Sequence, residues 1–218
     1  MQLANTHRYT RRSRRGGFSV LELLVVVGIV AFIATIVLVN HARFTGNLVV
    51  TNMAYEIALS IRQAQAFGLG VQQQDAGASF DVFNDSAFDT SYGIRFSSST
   101  RSYMLFADNN KNEHFDPPFD EEVDRYTLRQ GYTISDFCVP ASGPGNQCRE
   151  SNNLRALSIT FQRPQPDAKI RYRNAGNTVK PPTSGSPEDS ARIIIESPQG
   201  EQRSVTVYWT GQIAVENR

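Results

Sequence analysis

Glu22 is a carboxylate where carboxylates are costly. It lies in a run from Val20 to Val39 that is otherwise apolar apart from Gly28 and Thr35, and a charged group in such a run usually has a partner or a task. A second candidate is Asp108-Asn109-Asn110-Lys111-Asn112-Glu113-His114-Phe115-Asp116, which sets oxygen side chains at alternate positions. Asp108, Asn110, Asn112 and Asp116 match positions one, three, five and nine of an EF-hand-like loop, a hard-oxygen set suited to calcium. The sharp-turn glycine of such a loop is replaced by Glu113 and its twelfth position by Phe119, with Asp120, Glu121 and Glu122 close behind. The competing reading is a polar Asx-type turn joining strands.

Cys138 and Cys148, the only cysteines, enclose a loop rich in Gly, Pro and Ser. In an oxidising compartment a bridge there contributes roughly 3 kcal/mol in the loop-entropy model. Two free thiols, or a fragment of a metal site, are the alternatives, and His41 and His114 complete no zinc-type cluster. Lys169, Arg171, Arg173 and Lys180, with Tyr172 interleaved, form the one basic cluster of the C-terminal region. Such a stripe reads either as a phosphate-touching surface or as a solvated strand face. No G-x-S-x-G elbow, phosphate-binding glycine loop or H-E-x-x-H helix is present, and no Cys and His neighbours suggest a nucleophile, so no enzyme is expected.

The elements that must carry these groups are legible from pattern. Twenty residues from Val20 to Val39, at about 1.5 Å each, cross a ~30 Å hydrocarbon layer as a helix. Arg8, Arg11, Arg12, Arg14 and Arg15 precede the run with no acid among them, which holds the first seventeen residues in the cytoplasm and sends the remainder across. A secretory signal would end in a small-residue cleavage site; Asn40-His41-Ala42-Arg43-Phe44 supplies none. A twin-arginine signal is opposed by the same lack and by Glu22. Residues 41–70 continue as an amphipathic helix, with Val50, Ala54, Ile57, Ile61 and Ala64 on one stripe and Asn52, Glu56, Arg62 and Gln63 off it. Gly68 and Gly70 signal its stop.

From about residue 75 to 218 the chain turns to short β-rich runs. Strands are expected at Tyr92–Phe96, Ser102–Ala107, Tyr126–Leu128, Tyr132–Ser135, Ala156–Phe161, Lys169–Arg173, Arg192–Glu196, Ser204–Trp209 and Ile213–Val215. Their spacing leaves no room for crossover helices, so the sheets are antiparallel and the fold class is α+β.

Arg14-Arg15-Gly16-Gly17-Phe18-Ser19-Val20-Leu21-Glu22-Leu23 resembles the class III leader of type IV prepilins and type II secretion pseudopilins. Gly17, Phe18 and Glu22 match that pattern residue for residue, and Leu23-Leu24-Val25-Val26-Val27-Gly28-Ile29 fits its apolar continuation. The resemblance implies a leader over residues 1–17, cleavage between Gly17 and Phe18 by prepilin peptidase, N-methylation of Phe18, and a pilin-like helix over 18–70 whose part to about residue 40 spans the membrane. It also implies a role for Glu22 in assembly, pairing with the amino terminus of an adjacent subunit; i,i+4 spacing lets the new ammonium of Phe18 meet Glu22 on one helix face as well. The bland alternative is a glutamate that snorkels to the interface. Within the family the β-region is similar to GspH/FimT-type members, on Tyr92-Gly93-Ile94-Arg95-Phe96, Tyr103-x-Leu105-Phe106-x-Asp108, and Val205-x-Val207 with Thr210-Gly211 after it. The basic tail of DNA-uptake members is not reproduced by Gln212-Ile213-Ala214-Val215-Glu216-Asn217-Arg218.

Cleavage would remove five of the 22 basic residues and leave 17 against 21 acidic ones, a formal charge of −4. Nothing in that balance recommends a nucleic-acid partner. The function implied is a minor pilin or pseudopilin subunit in the inner membrane, with its C-terminal domain periplasmic or extracellular, and with prepilin peptidase, other subunits and the inner-membrane assembly machinery as partners. No cofactor is required, and structural calcium is the one candidate. The alternatives are a filament-tip binding module for DNA or a surface, and a single-span anchored domain with no filament role.

Overall fold

The computed structural model describes residues 17–70, 90–97, 99–129, 131–140, 146–180 and 190–217. The leader up to Gly16, the start of the β-region at 75–89 and the Pro181–Pro187 segment lie outside the described residues. The chain divides into two compact units, Met1–Ala42 and Arg43–Arg218.

In the first unit the helix α1 (Val20–Leu69) begins. Its segment Val20–Leu38 is 19 residues long, apolar enough to cross a bilayer, and buries nothing against protein. An apolar helix with no protein cover is what lipid accommodates and water does not.

The second unit holds the rest of α1 and two antiparallel sheets. Strands β1 (Ser91–Ser97), β2 (Ser102–Asp108), β3 (Glu121–Thr127), β6 (Ala156–Gln162), β7 (Gln165–Arg173) and β8 (Val179–Lys180) form one sheet in the order β3-β2-β1-β6-β7-β8. The other is β11-β10-β9-β4-β5, from β4 (Thr133–Pro140), β5 (Asn146–Cys148), β9 (Ser190–Glu196), β10 (Gln202–Tyr208) and β11 (Ile213–Asn217). A single turn of helix, α2 (Arg149–Asn152), comes directly after β5.

All five residues of the expected stripe, Val50, Ala54, Ile57, Ile61 and Ala64, are fully buried. They share one core with Ile94, Phe96, Leu105 and Ile159 of the first sheet and Phe137, Ile193, Val205 and Val207 of the second. Polar ties complement this burial. Ser60 Oγ and the Tyr103 hydroxyl share a 3.0 Å hydrogen bond, and Tyr126 Oη donates to Gln63 Oε1 at 3.0 Å. Arg203 Nε donates to Thr51 Oγ1 at 3.1 Å from the other sheet. Burial pushes the Tyr103 phenol up to about 12, so it remains neutral and able to donate.

Each expected strand occurs, with differences at the ends. The strand expected at Tyr126–Leu128 runs instead over Glu121–Thr127, because an edge strand needs only backbone pairing with β2 and can be polar on both faces. The strand expected at Tyr132–Ser135 continues to Pro140, where Cys138 pairs with Cys148. The helix ends at Leu69, and Gly68 does more than stop it. A Cβ there would stand 2.3 Å from the Phe161 carbonyl oxygen, so glycine is what lets the last turn lie on β6.

Candidate functional site

The start of α1 is built by local chemistry. Gly17 and Phe18 precede the helix and are exposed, Phe18 at 83%, and no heavy atom stands within 4 Å of a Cβ built on Gly17. Ser19 caps the helix: its Oγ accepts from Leu21 N at 3.3 Å, and its carbonyl accepts the first helical bond from Leu23 N at 3.1 Å. Three residues on, Glu22 occupies the acid position of a Ser-x-x-Glu capping box, a role that its spacing from Ser19 signals in the sequence itself. It is exposed in the first turn, and among the described residues no hydrogen bond or ion pair engages its carboxylate.

The Asp108 loop connects β2 and β3 and folds back over the outer face of the six-stranded sheet. Phe115 packs edge-on against Phe106, with ring centroids 5.5 Å apart, and lies 5.2 Å beneath the Arg95 guanidinium. Glu113 forms an ion pair with Arg171. The four expected ligands part company here. Asp108 is buried; its Oδ2 accepts from Ser91 Oγ at 3.0 Å and Glu113 N at 2.9 Å, and its Oδ1 from Asn112 N at 3.1 Å. Asn110 and Asn112 make Asx turns, accepting from Asn112 N at 3.2 Å and His114 N at 3.1 Å. Asp116 Oδ2 accepts from Asn112 Nδ2 at 3.0 Å, while its Oδ1 is buried without a partner among the described residues.

Asp120 is a loop acid that EF-hand spacing misses. Its two oxygens accept from Asn109 N at 3.1 Å and Asp116 N at 2.7 Å. Burial pushes its carboxyl up to about 6, and the charges of Asp108 and Asp116 push in the same direction. Burial also raises Asp108. Glu113, at the place of the missing glycine, takes φ 66°, the left-handed turn that glycine would otherwise supply. Asp108, Asp116 and Asp120 do not bring three ligand oxygens within 4.8 Å of one another, and both oxygens of Asp108 and of Asp120 already accept hydrogen bonds, so the loop as it stands is closed by its own donors. Phe119, at the twelfth position, is exposed and offers no side-chain ligand.

Cys138 and Cys148 form a disulfide, which excludes both the free-thiol and metal alternatives for this pair, although Asp136 stands beside it. The basic cluster divides by strand alternation. On β7, Ala168, Ile170 and Tyr172 are buried while Lys169, Arg171 and Arg173 take the opposite face. Tyr172 therefore packs in the core and is no stacking platform beside the arginines. Lys180, across the ladder from Tyr172, is exposed at the sheet edge.

Arg95, which spacing alone does not single out, joins Arg171 and Arg173 in lining a crevice on this outer face with His114 and Ser158. Burial, and secondarily the like charge of Arg173, lowers the Arg95 guanidinium from its ordinary value.

The N-terminal segment is thus a capped apolar helix start with an accessible junction before it, and the C-terminal unit is an antiparallel domain on the amphipathic half of the same helix. That is a pilin-like plan in its general form. The chain matches no protein-family model, no curated protein and no solved structure at significant similarity.

Proposed function

We propose that the chain is a structural subunit, a minor pilin or pseudopilin, of a type IV pilus or type II secretion pseudopilus. The observation that carries this reading is one short stretch: an exposed Gly17-Phe18 junction, a Ser19 cap and an unengaged Glu22 at the head of a 19-residue apolar span. On this reading prepilin peptidase cuts between Gly17 and Phe18 and the new amino group is methylated. The ammonium that results pairs with Glu22 of the same or a neighbouring subunit. The chain crosses the inner membrane once, with its leader cytoplasmic and its β-domain periplasmic, and enters a filament through the apolar part of α1.

The test is mass spectrometry of the N-terminus of the protein purified from its native host, with and without active prepilin peptidase. A chain beginning at N-methylated Phe18 only when the peptidase is active is the expected result. A chain still beginning at Met1 in the presence of the peptidase would refute the reading and leave a single-span anchored domain.

Calcium belongs to the same proposal. Asp108, Asn110, Asn112 and Asp116 would hold it, after releasing the hydrogen bonds that their oxygens accept within the loop.

A further inference from the structure

Where a helix starts decides which carbonyls are left free. In a continuous α-helix each N–H donates to the carbonyl four residues back. Were α1 to run on past Val20 toward the leader, Leu21 N would donate to the Gly17 carbonyl and Glu22 N to that of Phe18. The chain does otherwise. Leu21 N donates to Ser19 Oγ at 3.3 Å, and Leu23 N donates to the Ser19 carbonyl at 3.1 Å. Ser19 thus takes the one donor that a longer helix would deliver to the Gly17 carbonyl.

Backward growth of the helix meets no steric bar. Nothing stands within 4 Å of a Cβ built on Gly17, and Phe18 is exposed. Glycine is a poor helix former, so an extra turn through Gly17 is marginal, and a single cap can decide it. Fraying in the other direction is opposed by the apolar span that begins at Val20. An N–H without an acceptor is costly beside hydrocarbon. With the serine oxygen gone, the nearest acceptor that regular helix geometry offers Leu21 N is the Gly17 carbonyl.

That carbonyl is the one a peptidase must reach. In the proposed cleavage, water adds to the Gly17 carbonyl carbon and the bond to the Phe18 nitrogen breaks. Gly17 is left as a carboxylate, and the nitrogen leaves as the amine of Phe18. A carbonyl oxygen committed to a helical hydrogen bond is turned away from the donors that stabilise the developing oxyanion.

We propose that Ser19 is a positioning residue for processing. Its hydroxyl withholds Leu21 N from the Gly17 carbonyl and keeps the Gly17–Phe18 bond outside the helix, where prepilin peptidase can cut it. Ser19 acts through Leu21 and touches no reacting atom. This role rests on the proposed processing of the chain and adds a residue to it.

The test uses the full chain in maltoside micelles with purified prepilin peptidase. The parent is compared with Ser19→Ala, which removes the capping oxygen, and with Ser19→Thr and Ser19→Asn, which keep one. Leader removal is followed by mass spectrometry and expressed as kcat/KM. The Gly17 carbonyl carbon of the uncut chain is followed by NMR without peptidase. Losing a capping oxygen changes the ratio of capped to uncapped starts by about fivefold. The expected result is a kcat/KM about two- to fivefold lower in Ser19→Ala, with its Gly17 resonance moved downfield toward the helical position. Ser19→Thr and Ser19→Asn should match the parent in both readouts. Cleavage of Ser19→Ala at the parent's rate, a Gly17 resonance that does not move, or equal loss in all three variants would overturn the role of Ser19 and leave the processing reading standing. A parent that is not cut would overturn both.

Discussion

Replacing Gly68 by alanine should destabilise the C-terminal unit, although alanine is the better helix former. The added Cβ would stand 2.3 Å from the Phe161 carbonyl oxygen and 2.8 Å from its carbon, about 1.1 Å inside the 3.4 Å at which ordinary van der Waals contact begins. The obstruction is strand backbone, in a stretch where β6 already shifts register against β7 between Thr160 and Gln162, so no flexible side chain can swing aside. Relief requires the last turn of α1 to lift off the sheet, which loosens Ala64 and Ile61 in the core. Overpacking of this kind costs about 1–3 kcal/mol, against a propensity gain of at most about 1 kcal/mol in the final turn of a helix. The net expectation is a loss of about 1–2 kcal/mol, a factor of roughly 5–30 in the folded ratio. Urea denaturation of the full chain in maltoside micelles, monitored by the fluorescence of Trp209, the only tryptophan, measures it. Gly176→Ala is the control, since a Cβ there meets nothing closer than 3.5 Å. A Gly68→Ala protein as stable as the parent, or more so, would refute the close-packing argument.

Three further outcomes are expected. Removing the disulfide by the double change Cys138→Ser and Cys148→Ser should lower stability by about 2–3 kcal/mol from loop entropy, seen as a matching drop in the urea midpoint; an unchanged midpoint would show that the bridge constrains nothing. The Asp120 carboxyl should titrate near pH 6 by carbon-detected NMR, above the unfolded value of 3.8. A raised acid penalises folding once ionised, so stability should rise as pH falls from above 6 toward 4, and calcium should move the midpoint downward if the loop holds it; a midpoint below 4.5 without calcium would contradict the burial argument. Finally, Glu22→Ala and Glu22→Gln should both insert in the membrane of the native host and both lose filament incorporation, and normal incorporation of either would reject charge pairing.

The helix is readable from sequence because burial at a period of 3.6 leaves an unmistakable residue pattern, and Val50 through Ala64 obey it without exception. Inner strands that alternate, such as Tyr92–Phe96, Leu157–Phe161 and Ser204–Val207, are readable for the corresponding reason at period 2. Elements held by backbone alone, or by convergence of distant residues, leave no such pattern. β3 carries Glu121, Glu122, Asp124 and Arg125, which on propensity read as loop, yet the strand needs only the exposed ladder of β2. The return of the Asp108 loop across the sheet has one signal. Tyr103-Met104-Leu105-Phe106-Ala107 is apolar without alternation, and a strand buried on both faces must be covered on both. Asp120 and Arg95 have none, because their roles arise from neighbours distant in sequence.

The capped start of α1 sharpens what Glu22 can be doing. In the first turn of α1, it lies at the positive end of the helix dipole, which stabilises a carboxylate by about 0.3–1 kcal/mol. The Ser-x-x-Glu spacing accepts glutamine as well as glutamate, so capping alone would not require the charge. Placing that charge in an apolar span costs about 2.5–3.5 kcal/mol at mid-membrane and less toward the interface. The dipole therefore offsets only part of the cost once the helix start is drawn into a bilayer or between apolar helices. On the proposed reading, cleavage supplies the remainder from one bond: it removes the arginine-rich leader, and it creates an ammonium at Phe18, one helical turn from the acid. A carboxylate that is tolerable at a frayed, solvated helix start becomes tolerable in an apolar bundle only after that cut. The same chemistry would then order the two events, processing first and packing second, with no further regulator needed.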